Sequence, residues 1–377
     1  MRDLAREFAH QGHELTVLLP SYDTLNYWEL EDRDGVRILR LSAPKTKDVG
    51  YVRRTIGEWL MPYWMARNLR KSPLAQSKWD GVIWYSPSIF HGPLVRRLKR
   101  ESGCKSYLII RDIFPEWALD LGLMRKGPAY HFFKVIARGQ YDAADVIGVQ
   151  SEGNLSYFEY WTRGAMGRQL EILQNWLSPP ANAKCSLDIS STSLAGRKIL
   201  VYAGNMGVAQ GLDVIVALAD RMRNRRDVGF LFVGRGSETA RLEQMSRDLA
   251  LDNILFQPEI DPDEIPSLYE QCAIGIVALD ARHKSHNIPG KFLTYMQNGL
   301  PALAVVNAGN DLASLISKEG VGRACETRDL DQLECLCSDL IAEMNGDLAM
   351  RGRCKSLFLN RFSAEHAVRQ ITSALAT

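Results

Sequence analysis

Short, continuous apolar runs alternate with stretches of helical spacing along most of the 377 residues. In the first half, Leu15 to Leu19, Val36 to Leu41, Val82 to Trp84, Tyr107 to Ile110 and Val146 to Val149 predict strands, and Val52 to Lys71, Gly92 to Glu101, Tyr130 to Asp142 and Glu152 to Trp161 predict helices. Ser178-Pro179-Pro180 then opens a stretch rich in Ser, Ala and Thr that closes at Gly196. Beyond it the pattern restarts, with strands expected over Ile199 to Ala203, Phe230 to Val233, Ile254 to Phe256, Ile274 to Ala278 and Ala302 to Val306. Strands that are apolar throughout lie in sheets covered on both faces, so the alternation predicts an α/β fold of two doubly wound, Rossmann-like domains. The expected limits are 1–177 for the first domain, 178–197 for a linker, 198–358 for the second domain, and 359–377 for a C-terminal helix packing back toward the first. Two such halves place a ligand in a central cleft outside the carboxyl ends of their strands. The chain opens directly on a helix, with Leu4, Ala5 and Phe8 on one side and Gly12 as its stop. A doubly wound domain starts with a strand and a loop before such a helix, so the first domain is expected to lack its first strand.

Composition narrows the function. At 46% hydrophobic and 24% charged the chain is globular, and a net charge of +2 argues against a nucleic-acid partner. No apolar run approaches the ~20 residues that span a bilayer, and the opening residues do not form a signal peptide, so a cytoplasmic protein is expected. The seven cysteines are scattered and contain no Cys-x-x-Cys pair, which points to buried thiols instead of disulfides or zinc. His283 and His286 stand three apart without a nearby carboxylate or thiol to complete a shell, so no metal is expected.

The chemistry concentrates in two stretches of the second half. His286-Asn287-Ile288-Pro289-Gly290-Lys291-Phe292-Leu293 reads as a Pro-Gly turn opening a helix that closes at Gly299. A helix N-terminus offers unpaired N–H groups and a partial positive charge, and Lys291 in its first turn suits a phosphate; the plainer reading is an ordinary helix start with a solvated lysine. The second stretch is the strand Lys198 to Ala203 running into Gly204-Asn205-Met206-Gly207-Val208-Ala209-Gln210-Gly211 and then a helix. Strand, glycine loop, helix is a phosphate-cradling order, although Gly204 and Gly207 also serve a simple tight turn. The loop is neither the dinucleotide fingerprint nor a P-loop, which disfavours a nicotinamide dehydrogenase.

In the first half, Asp112 follows the strand Tyr107 to Ile110 at its carboxyl end, with Glu116 on the same turn. A carboxylate there can orient or deprotonate an acceptor hydroxyl, or cap the helix that Pro115-Glu116-Trp117 implies. His91 faces the same rim in this reading. Residues 51–71 interleave Trp59, Leu60, Met61, Tyr63, Trp64 and Met65 with Arg53, Arg54, Arg67, Arg70 and Lys71. Aromatics flanked by cations suit a lipid headgroup layer, while the same apolar residues also suit packing on the first sheet.

These stretches, with Arg111-Asp112-Ile113-Phe114-Pro115-Glu116 and Gln174-Asn175-Trp176, resemble the retaining glycosyltransferases of family 4, and within them the WbuB-like L-fucosaminyl transferase group of bacterial O-antigen and capsule synthesis. The resemblance spans nearly the whole chain. It implies the GT-B architecture, a nucleotide-diphosphate sugar, uridine-linked, held by the second domain, and a polyprenyl-diphosphate-linked saccharide acceptor held by the first. It further implies transfer with retention, no metal or other cofactor, and work at the inner face of the cytoplasmic membrane with peripheral contact through 51–71. Members of the group begin with a strand and glycine loop ahead of the helix found here at Arg2 to Gln11, which puts competence of the chain as given in question.

Two departures shape the site. The family's two glutamates, eight positions apart, read here as His286 and Thr294, and the basic residues usual in the glycine loop read as Asn205 and Gln210. Lys291 is then the first candidate for the diphosphate and Arg235, in Val233-Gly234-Arg235-Gly236, the second, although a surface arginine fits as well. Glu259 lies where the family recognises the base, though a solvated loop glutamate reads the same way. Donor binding is therefore expected of Gly204, Asn205, Gly207, Gln210, Arg235 and Glu259 together with Gly290, Lys291 and Thr294. Acceptor binding is expected of His91, Asp112 and Glu116, with Asp112, Glu116 and Lys291 as the catalytic set. Breaking a bond to a nucleotide diphosphate builds negative charge on the departing phosphate, which fixed donors and a cation stabilise. A nucleotide-sugar epimerase of the same architecture, or an inactive nucleotide-sugar binder, are the competing readings.

Overall fold

In the computed structural model, which describes residues 1–24, 26–120, 122–180, 183–280 and 288–376, the apolar runs form parallel strands and the amphipathic stretches form helices. The chain divides into two compact units, residues 1–174 with 364–377 and residues 175–363.

The second unit is the more regular. Its strands are β8 (Lys198–Ala203), β9 (Val228–Val233), β10 (Ile254–Gln257), β11 (Ile274–Ala278), β12 (Ala302–Val305) and β13 (Gly322–Cys325), all parallel in the order β10-β9-β8-β11-β12-β13. Successive residues of β8 point to opposite faces: Ile199, Val201 and Ala203 enter one hydrophobic core, Leu200 and Tyr202 the other. Both faces are covered, which is why these strands carry no polar alternation. The unit's helices are α7 (Asp213–Arg221), α8 (Thr239–Asp248), α9 (Ile265–Glu270), α10 (Gly290–Gln297), α11 (Asp311–Glu319), α12 (Leu330–Gly346) and α13 (Met350–Arg361). The stretch expected as a linker over 178–197 is part of this unit, because Ile189 and Leu194 are buried in its core.

The first unit holds β1 (Thr16–Ser21), β2 (Trp28–Arg33), β3 (Val36–Ser42), β4 (Gly81–Tyr85), β5 (Lys105–Ile109), β6 (Val146–Val149) and β7 (Gln169–Ile172). Its helices are α1 (Arg2–His10), α2 (Tyr51–Leu69), α3 (Gly92–Ser102), α4 (Glu116–Asp120), α5 (Pro128–Tyr141), α6 (Glu159–Thr162) and α14 (Ala364–Ala376). The expected helix over Glu152 to Trp161 is mostly a tighter 3-10 turn, Glu152–Phe158, with the poor helix formers Gly153 and Asn154 near its start.

These strands form two sheets, β1-β3-β2 and β4-β5-β6-β7. The helix layers nevertheless run on across both: α2 packs on β3, α3 on β4, and α2 on α3; on the other side α1 packs on β3, α14 on β5, and α1 on α14. Leu39 and Leu41 of β3 share one core with Val82, Trp84 and Leu108 of the second sheet. In unit 2 the first strand, β8, sits between β9 and β11; among the described residues of unit 1, β1 and β4 each keep one edge with no paired strand.

Candidate functional site

The glycine loop after β8 is built by its neighbours. A methyl on Gly236 would stand 2.1 Å from the Met206 carbonyl oxygen, so the loop after β9 lies directly against it. Met206 N–H donates to Arg235 O at 2.8 Å and Gly204 N–H to Val233 O at 2.8 Å. Gln210 folds back over the loop, its Oε1 accepting from Gly207 N–H at 3.0 Å and from Asn205 Nδ2 at 3.3 Å. The amides of Gly204, Met206 and Gly207 are thus spent within the protein, while those of Asn205, Val208 and Ala209 keep no partner among the described residues.

At the loop's far end Arg328 donates to Gly211 O at 3.2 Å and to Asp213 Oδ2 at 3.0 Å, fixing the entry to α7. No local pattern around Arg328 announced that role, since it comes from 115 residues further along the chain.

Helix α10 brings in the cation. Phe292, Leu293, Tyr295 and Met296 bury one side of it, and Tyr295 lies across Gly275 with its hydroxyl donating to Ile276 O at 2.9 Å. Only a glycine at 275 leaves room, since a methyl there would meet the Tyr295 ring at 2.4 Å. That seating aims Lys291 at the glycine loop: a methyl on Gly204 would lie 3.1 Å from its Nζ. Gly204 has φ +130, which also favours glycine.

Lys291 is half-buried, and burial pushes its pKa below the ordinary lysine value. No carboxylate pairs with it among the described residues, and its nearest charge-like partner is the ring face of Tyr202, 4.6 Å from Nζ to centroid. The amides of Gly290 and Lys291, in the first turn of α10, are likewise unpaired among the described residues. Thr294 turns inward to its own helix, donating to Gly290 O at 3.3 Å. His283 and His286 lie outside the described residues. No group of three or more potential metal ligands occurs among the described residues.

Two more donor candidates meet each other: Arg235 Nε pairs with Glu259 Oε2 at 2.9 Å, both side chains exposed. Glu259 lies just beyond β10 and lines a cavity of about 410 Å³ with Ser186, Leu187, Gln257, Pro258 and Ile260.

In unit 1, Asp112 stands past the carboxyl end of β5 on a turn held by Ser86. The Ser86 hydroxyl accepts from Arg111 N–H and Asp112 N–H at 3.3 and 3.4 Å and donates to Asp112 O at 3.2 Å. The Asp112 side chain is exposed and caps nothing among the described residues. Beside it the Arg111 guanidinium is buried, donates to Leu173 O at 2.9 Å and Gln174 O at 3.2 Å, and is pushed down to about 10 by that burial.

Glu116 opens α4 and is already engaged, with Lys134 Nζ 3.0 Å from its Oε1 and the Tyr130 hydroxyl 3.0 Å from the same ammonium. His91 immediately precedes α3, and enclosure of its ring holds its pKa down to about 4, so it is a neutral donor and acceptor near pH 7. No hydrogen bond or ion pair joins His91, Asp112 and Glu116 to one another among the described residues.

Helix α2 divides its apolar residues. Met61, Met65 and Leu69 enter the core, whereas Tyr51, Val52, Ile56, Trp59 and Tyr63 are 47–88% exposed and form one stripe at helical spacing. Residues 51–100 carry ten lysines and arginines against two acidic residues in a chain of net charge +2.

Residues 188–351 match the family model described as Glycosyl transferases group 1. The chain is 27% identical over 360 residues to the "Putative colanic acid biosynthesis glycosyl transferase WcaI" of Escherichia coli (strain K12), covering 86% of this chain and 81% of that one. Among solved structures it is similar to WaaG, a glycosyltransferase involved in lipopolysaccharide biosynthesis, at 13% identity and TM-score 0.58 over 99% of this chain and 94% of that one. It is also similar to Anabaena Alr3699/HepE in complex with UDP and glucose, at 14% identity and TM-score 0.60 over 99% and 94%. At such identities the solved structures bear on the fold alone, which is GT-B. The matched domain and its relative make the chain a glycosyltransferase.

Proposed function

We propose that this glycosyltransferase moves a sugar from a uridine-diphosphate donor to a polyprenyl-diphosphate-linked saccharide, with retention, during assembly of a bacterial surface polysaccharide of the O-antigen or capsule kind. The observation that carries the reading is the Lys291 ammonium, half-buried without a carboxylate partner among the described residues and set against the glycine loop and the open amides of the α10 first turn. A buried cation without an anion is costly unless a ligand supplies one, and a departing diphosphate does so just as its charge grows. WcaI and WaaG, whose names place them in colanic acid and lipopolysaccharide synthesis, support the polymer class. HepE, solved with UDP, supports the nucleotide.

In this reading the cavity beside Glu259 takes the base, and the Asn205, Val208 and Ala209 amides with Lys291 take the diphosphate. The Asp112 side chain, exposed and without a hydrogen bond among the described residues, orients the acceptor hydroxyl, and the α2 stripe meets the membrane that carries the acceptor lipid. The specific sugar of the WbuB-like group, an N-acetylated deoxy-amino sugar, belongs to the same proposal.

Calorimetric titration with UDP and a product assay on a lipid-linked acceptor test it. Expected are UDP binding that Lys291→Met weakens about 100-fold or more, and an Asp112→Asn variant that binds UDP normally but forms product roughly 100-fold slower. UDP binding without product in the unaltered chain marks an inactive binder, and no UDP binding removes the proposal.

A further inference from the structure

The Lys291 ammonium, half-buried with no carboxylate beside it among the described residues, needs another group to hold it in place. Lys291 projects from a helix whose apolar side enters one core of unit 2, whereas Tyr202 points into the core on the other face of the sheet. They meet over the carboxyl end of β8, with Nζ 4.6 Å from the ring centroid. Tyr202 is 1% exposed, and its ring has Phe232 behind it at 6.1 Å, which in turn stacks on Phe256 at 4.8 Å. The platform is therefore fixed. The hydroxyl of the same residue donates to Asn205 O at 2.6 Å, at the crown of the glycine loop. One side chain touches both halves of the anion seat.

We propose that Tyr202 is a positioning residue of the donor site: its ring face holds the Lys291 ammonium at the end of β8 while its hydroxyl fixes Asn205, so that lysine and loop present one seat to a diphosphate. An aromatic face carries the negative part of a quadrupole and attracts a cation without neutralising it. A carboxylate in that place would pair with the ammonium and compete with the ligand, whereas the ring leaves the full positive charge available. The inference rests on the diphosphate reading above.

Because Tyr202 is also a core residue, the test must change the electron density of the ring face and keep the ring's shape. In the full chain, Tyr202 is replaced by phenylalanine and then by its 4-fluoro, 3,5-difluoro and 3,4,5-trifluoro forms, with UDP affinity read by calorimetry and folding by thermal melting. The phenylalanine step reports the hydroxyl and costs a few-fold in affinity. Across the fluorinated series affinity falls stepwise, about 10-fold in all, at a nearly constant melting temperature. In a Lys291→Met background the series is flat, because the cation that senses the ring is gone.

A flat series in the otherwise unaltered chain, with Lys291→Met still weakening UDP, overturns the role of Tyr202 and leaves the diphosphate reading standing. Affinity that falls only in step with the melting temperature also overturns it, assigning Tyr202 to the core alone. UDP binding unchanged by Lys291→Met removes the diphosphate reading itself.

Discussion

Gly234 and Gly204 touch backbone to backbone: a methyl on Gly234 would stand 2.1 Å from the Gly204 carbonyl oxygen, and Gly234 itself has φ +143. Steric overlap and backbone strain thus act at one position. Gly234→Ala is expected to cost about 2–4 kcal/mol in urea unfolding and to weaken UDP binding by displacing the loop. Gly290→Ala is the contrast, because nothing among the described residues lies within 4 Å of a methyl there. It should stay within about 0.5 kcal/mol of the unaltered protein and keep its first-turn amide.

Lys291 should act against stability when no ligand is bound. Its folded-state pKa lies below the 10.5 of an unfolded lysine, so between those two values the unfolded chain binds more protons and stability rises with pH. Below that window the cost of the buried ammonium is present in full. Lys291→Met is accordingly expected to be the more stable protein near pH 7, with the difference closing as pH nears 10.5. UDP affinity of the unaltered protein should fall through the same alkaline window. Denaturant unfolding at several pH values reads the first effect and calorimetry the second.

His91 sets an acid limb. Its pKa is about 4 folded against 6.5 unfolded, so its contribution is complete above pH 6.5 and is lost as pH falls from 6.5 to 4. The shift corresponds to roughly 3 kcal/mol. His91→Gln should flatten the pH dependence of stability over that interval, measured by urea unfolding, and an unchanged slope would assign the acid limb to other groups.

The exposed stripe of α2 predicts vesicle binding. The protein should sediment with vesicles rich in anionic lipid at low salt and less so at high salt, because the basic residues around the stripe are screened. Replacing Trp59 and Tyr63 by serine should weaken binding at least ~10-fold while leaving the melting temperature nearly unchanged, as both are exposed. Failure of the unaltered protein to sediment with such vesicles rules out membrane contact through α2.

Legibility in the sequence followed burial. The all-apolar runs that became β8, β9, β11 and β12 were readable because a strand covered on both faces has no other composition. The polar edge strand β2, Trp-Glu-Leu-Glu-Asp-Arg, was not, although Asp34-Gly35 after it was a usable sign. Those two residues have φ +57 and +74 and form the two-residue turn that pairs Arg33 with Val36. Short β7 and β13 carry too few apolar residues to stand out.

At the site, the glycine loop and the α10 turn were local patterns and therefore visible. The contacts that join them, Lys291 to Tyr202 and Gly234 to Gly204, cross from one strand or helix to another, and no spacing in a single sequence encodes them. Lys134 beside Glu116 and Ser86 beneath Asp112 were hidden for the same reason.

The division of unit 1 between two sheets has a mechanical consequence. In a parallel ladder alternate residues turn their peptide groups to opposite sides, and Leu15 and Ser21 bond toward β3 while Ser86 bonds toward β5. Thr16 and Leu18 on β1, and Ile83 on β4, consequently aim their amides and carbonyls at edges that no strand pairs with among the described residues. Shear between the two sheets is resisted by the side chains of their shared core and of the helices packed on them, with no main-chain ladder joining the sheets among the described residues. Heat or urea should therefore loosen unit 1 first, with the amides of Leu18 and Ile83 exchanging ahead of those buried in β8.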